Sequence, residues 1–119
     1  MVETIPEDRP ISQDEAAVVC WLLRASVAGD LSRLESSVSS LHIVGRCGCG
    51  CPSIDFAPGG QAGGSGFLAE AFGESAHGEL AGLILWGTCQ VITGLEIYGF
   101  EKSALSMPAL GTLRPRIPV

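Results

Sequence analysis

The chain is short of basic residues, of histidine and of aromatic side chains. Seven Lys and Arg stand against thirteen Asp and Glu, for a net charge of −6. An acidic chain repels phosphate, so neither nucleic acid nor an anionic membrane surface is expected as a partner. Only two histidines occur, and no nucleophile elbow accompanies them, so no Ser-His-Asp arrangement can be argued. Long apolar runs are missing too. The longest, Ala16 to Leu23, falls far short of the roughly 20 residues a membrane-spanning helix needs. The acidic, proline-broken start Met1-Val2-Glu3-Thr4-Ile5-Pro6-Glu7-Asp8 lacks the basic region and apolar core of a secretory signal. A cytoplasmic location is therefore expected. In that reducing compartment the five cysteines, an odd number, are not expected to form structural disulfides.

Apolar residues are plentiful at 46%, with 17% charged, which excludes a disordered chain. A length of 119 residues suits a single domain over 1–119. Sixteen glycines point to tight turns and bent strands rather than long helices.

Residues 1–11 read as an extended N-terminal arm. Ser12-Gln13-Asp14-Glu15 fits a capping box, in which the serine caps the first turn and the glutamate reaches back. A helix is predicted from about Gln13 to Ala28, stopped at Gly29. Its main apolar stripe is Ala16, Val19, Cys20, Leu23 and Val27, with Trp21 off the stripe as a homodimer contact or packed beneath the arm. A second short helix fits Asp30 to Ser36, followed by a serine-rich connector, Ser36 to Ser40. Strands are then predicted at Leu41–Val44, Ser53–Phe56, Phe67–Phe72, Leu80–Trp86 and Val91–Tyr98, with residues 101–119 as a proline-containing tail. Leu80–Trp86 reads as a central strand covered on both faces. The Gly-rich stretch from Ala57 to Gly66 lacks the ending of a phosphate-binding loop and reads as a hairpin loop. Short gaps favour hairpins. The fold expected is α+β: one helix, or two, packed on an antiparallel meander of four to five strands.

The densest motif is Arg46-Cys47-Gly48-Cys49-Gly50-Cys51-Pro52. Cys47, Cys49 and Cys51 are the candidate metal or thiol residues. Alternate side chains on a regular strand lie about 6.5–7 Å apart, too far to share a tetrahedral ion unless the glycines bend the chain. No helix start follows Cys51 to activate a thiolate. The third option is that these thiols simply pack.

The stretch Gly45 to Ser53, taken with Leu83-Ile84-Leu85-Trp86-Gly87 and Leu95-Glu96-Ile97-Tyr98, resembles small uncharacterised bacterial proteins of actinobacterial type. The resemblance covers about the last two-thirds of the chain and implies a compact bacterial cytosolic domain. That group has no assigned activity, so no catalytic residue carries over.

A second constellation lies on the predicted strands. Asp55, Glu70, Glu96 and Tyr98, with His42 and Arg46 on one face of the first strand, would form a polar patch if those faces coincide. Such a patch can bind a ligand or partner, act as acid and base, or be an ordinary solvated face. The function expected is a non-enzymatic binding or protein-interaction module with an unidentified protein or small-ligand partner, either monomeric or a homodimer. No cofactor is expected. The alternative is a zinc or redox site at Cys47–Cys51, and a small acid–base enzyme is a remote one.

Overall fold

The computed structural model describes residues 4–25, 31–48, 52–57, 66–75, 78–88, 90–99 and 106–115. The fold is α+β with one antiparallel sheet. Strands β1 (Thr4–Pro10), β2 (His42–Cys47), β3 (Ile54–Ala57), β4 (Gly66–Glu74), β5 (Leu80–Gly87), β6 (Ile92–Gly99) and β7 (Arg114–Pro115) are joined by helices α1 (Gln13–Ala25) and α2 (Glu35–Val38). Seven strands replace the four or five predicted. The two additions lie at the sheet edges, where proline is tolerated because the outward N–H needs no partner. Residues read as an N-terminal arm supply β1, and the tail supplies β7.

The capping box forms as predicted. The Glu15 amide donates to Ser12 Oγ at 3.2 Å, and the Ser12 amide donates to Glu15 Oε1 at 2.9 Å. Val18, Val19, Leu22 and Leu23 form the buried side of α1. Val27 and the predicted stop at Gly29 lie outside the described residues. Part of the serine-rich connector is helical, because Glu35–Val38 continues a 3-10 turn over Ser32–Leu34 and buries Val38.

The sheet order is β1-β2-β3-β6-β5-β4-β7, which corrects the expected meander. Strands β4, β5 and β6 are successive hairpins, and β6 returns beside β3. That is a Greek key, and residues 58–65 connect β3 to the far strand of the hairpin set. Alternation sorts the strands into two faces. Ala69 and Ala71 of β4, Leu83 and Leu85 of β5, Leu95 and Ile97 of β6, and Ile54 and Phe56 of β3 join the α1 residues in one buried core. The inward alanines of β4 leave room for α1, which packs on that strand. Among the described elements, both helices lie on this core face, and the opposite face carries none.

Candidate functional site

The helix-free face is built in rows across β4, β5 and β6. Glu70 stands opposite Ile84, and Ile84 stands opposite Glu96. Directly paired residues hold their Cβ atoms about 4.5–5.5 Å apart, so the two carboxylates flank Ile84 as a floor. One row away Phe67 pairs with Trp86, and on the other side Gly82 pairs with Tyr98. The Tyr98 ring lies across Gly82, where an added Cβ would sit 2.1 Å from Cζ. By crossing β5 there, the Tyr98 hydroxyl reaches Glu70 Oε2 and donates to it at 2.8 Å. The Trp86 indole N–H donates to Glu96 Oε1 at 3.1 Å, and its ring meets Phe67 edge-on with centroids 6.4 Å apart. Each carboxylate is thus tied to an aromatic side chain. Glu96 is exposed, Phe67 is 46% exposed, and Trp86, Ile84, Tyr98 and Glu70 are half-buried.

Asp55 shares this face. It pairs with Gly94 of β6, between the inward residues Ile54 and Phe56. Burial pushes its carboxyl above the ordinary range. By register, five of the six residues proposed from alternation therefore lie on one face: Asp55, Glu70, Glu96 and Tyr98, with His42 further out on β2, opposite Ala57.

His42 and Arg46 do not share a face. A register irregularity between Ile43 and Gly45 leaves His42 opposite Ala57 on the helix-free side and sets Arg46 opposite Ile54 on the core side, where it is exposed near the end of β2. A bulge shifts every later side chain to the other face. Both residues instead fasten β1: His42 pairs with Asp8, and Arg46 Nε contacts Glu7 Oε1 at 3.1 Å.

Trp86, Phe67 and Ile84 are not among the candidate site residues that the sequence offers. Leu80–Trp86 reads there as covered on both faces because it is almost wholly apolar. The strand order reveals the difference, since every other residue of β5 faces a carboxylate or an aromatic ring on its neighbours.

Cys47 ends β2 half-buried, and its amide donates to the Ser53 carbonyl at 3.1 Å. Cys49 and Cys51 lie outside the described residues, as do Cys89 and His77. Among the described residues no group of three or more His, Cys, Asp or Glu is placed to hold a metal ion. Cys20 packs against the core from α1; burial and then the nearby Glu35 push its thiol up, which makes it a poor nucleophile. Trp21 also packs against this core. A cleft of about 260 Å³ lies between α1 and residues 107–110, with Asp14 among otherwise apolar lining. It is smaller than the usual small-ligand pocket of roughly 300 Å³ or more and has one charged group to orient a ligand.

Among the described residues, no helix is long and apolar enough to cross a membrane. No protein-family model, curated protein or solved structure matches the chain.

Proposed function

We propose that the chain is a non-enzymatic interaction module that binds a partner polypeptide on the helix-free face of its sheet. The observation that supports this is the tied row of aromatic and carboxylate side chains, Phe67–Trp86–Glu96 and Tyr98–Glu70. Tryptophan and tyrosine are enriched at the energetic centres of interfaces because they bury large area with few rotatable bonds. Here the hydrogen bonds to Glu96 and Glu70 already fix both rings, so little side-chain entropy is left to lose on binding.

A displayed peptide library panned against the purified chain tests the reading. The expected outcome is a retained set of peptides whose binding falls about tenfold or more with Trp86→Ala, the loss typical of an interface anchor. Leu110→Ala, beside the cleft on the helix side, should leave binding unchanged. A library that yields no bound peptide, or binding indifferent to Trp86, would sink the proposal.

A further inference from the structure

The chemistry of the face also selects the kind of partner. Resting on the reading above, we infer that it receives an arginine side chain from an extended segment of another protein, held between the Trp86 ring and the Glu96 carboxylate. Three observations carry this. The face bears Asp55, Glu70 and Glu96 on a chain of net charge −6. Glu96 is exposed, and its one hydrogen bond among the described residues comes from Trp86 at Oε1, which leaves Oε2 to accept a donor. Trp86 is held beside that carboxylate by the same bond and by its perpendicular contact with Phe67. An aromatic plane next to a carboxylate oxygen matches a guanidinium, which stacks through its flat face and donates through its edge. An ammonium gains the charge attraction but cannot use both features as fully. The apolar floor at Ile84 suits the aliphatic stem of the incoming side chain.

A second copy of this chain is the less suitable occupant. Two such faces would set carboxylates against carboxylates, which costs free energy. The one described arginine on this side, Arg114, lies at the β7 edge opposite Phe72.

The test uses the full chain and nuclear magnetic resonance of the Trp86 indole N–H, assigned by its loss in Trp86→Phe. The probes are acetylated, amidated Leu-Arg-Val-Arg-Leu and the same peptide with citrulline in place of arginine, at about 0.15 M salt so that loose charge attraction is screened. The arginine peptide should shift the resonance saturably and bind about fivefold tighter than the citrulline peptide. Glu96→Gln, a near-isosteric change at an exposed position, should shrink that preference to under about twofold.

Equal binding of the two peptides through Trp86 would overturn the arginine assignment and leave the interaction-module reading standing. Spermidine shifting the resonance as strongly as the peptide would also overturn it, in favour of a small polycation. So would self-association abolished by Arg114→Ala, in favour of a second copy. If neither these peptides nor any library member perturbs Trp86, the interaction-module reading itself fails.

Discussion

At Gly82 the space a side chain would take is occupied by the Tyr98 ring, and at Gly87 by backbone. The difference decides what each glycine can tolerate. A Cβ on Gly82 would meet Tyr98 Cζ at 2.1 Å, and a half-exposed ring can swing toward solvent. The cost is then the lost ring contact and the hydrogen bond to Glu70, about 1 kcal/mol together. A Cβ on Gly87 would meet the Val91 carbonyl oxygen at 2.3 Å and Ile92 Cα at 3.0 Å. Neither atom can move without distorting the β5–β6 hairpin, so overpacking there should cost about 2–3 kcal/mol. Urea unfolding of Gly82→Ala and Gly87→Ala should show this order; equal midpoints would refute it. On the candidate face, Asp55, Glu70, Glu96 and Tyr98 were legible because alternation holds along β3 and along β4 and β6 on the near side of their irregularities. The pairing of His42 with Arg46 was not, because one irregularity at Val44 reverses the faces and leaves no mark in a hydrophobic pattern.

Helix α1 begins where three interactions converge on one carboxylate. Glu15 accepts from the Ser12 amide and from both terminal nitrogens of Arg9, each at 2.9 Å. Burial alone would raise this carboxyl, but the hydrogen bonds from Arg9 and Ser12 outweigh it and hold it below the ordinary value of 4.5. A depressed carboxyl contributes stability that is fully present above pH 4.5 and is lost as pH falls through the folded value. Arg9 is 39% exposed, so solvent screens the pair and its contribution is about 1 kcal/mol. Glu15→Gln keeps an acceptor for the Ser12 amide and removes the charge. It should therefore lower stability by about 1 kcal/mol at neutral pH, and the gap to the wild type should close on acidification. Thermal melts across that range check this; a gap that persists in acid would mean that shape rather than charge supports the strand–helix junction. The capping box was readable because it is local, three residues from serine to glutamate. The contribution of Arg9 was not, since it requires β1, and two prolines made that segment look like an unpaired arm. The strand's irregular register between Pro6 and Arg9 accommodates them at an edge.

On the scale of the whole molecule, the sheet is two units joined at a narrow seam. β1, β2 and β3 form one unit, and β4, β5, β6 and β7 form the other, with β3 beside β6. No sequence pattern marks that seam, because the pairing of β3 with β6 spans the whole β4–β5 excursion. Among the described residues, only Ile54–Leu95 and Asp55–Gly94 pair directly across it. Ser53 extends the join with its side chain: its hydroxyl donates to the Ile97 carbonyl at 3.1 Å and accepts the Ile97 amide at 2.8 Å. Ile97 is 2% exposed, so water cannot readily replace these bonds, and an unsatisfied buried peptide group costs about 1–3 kcal/mol. Ser53→Ala should therefore destabilise the chain by about that amount, and the loss should be uneven. Native-state hydrogen exchange should speed up at Ile97 and across β2 and β3. Amides shared between β4 and β5, whose partners lie wholly within the second unit, should slow-exchange nearly as before, because units joined at a narrow seam open separately. Uniform acceleration through all strands would show instead that the core beneath α1 makes the two units one cooperative body. In that case perturbing the helix-free face on β4–β6 would be felt as far away as the cysteine-bearing end of β2.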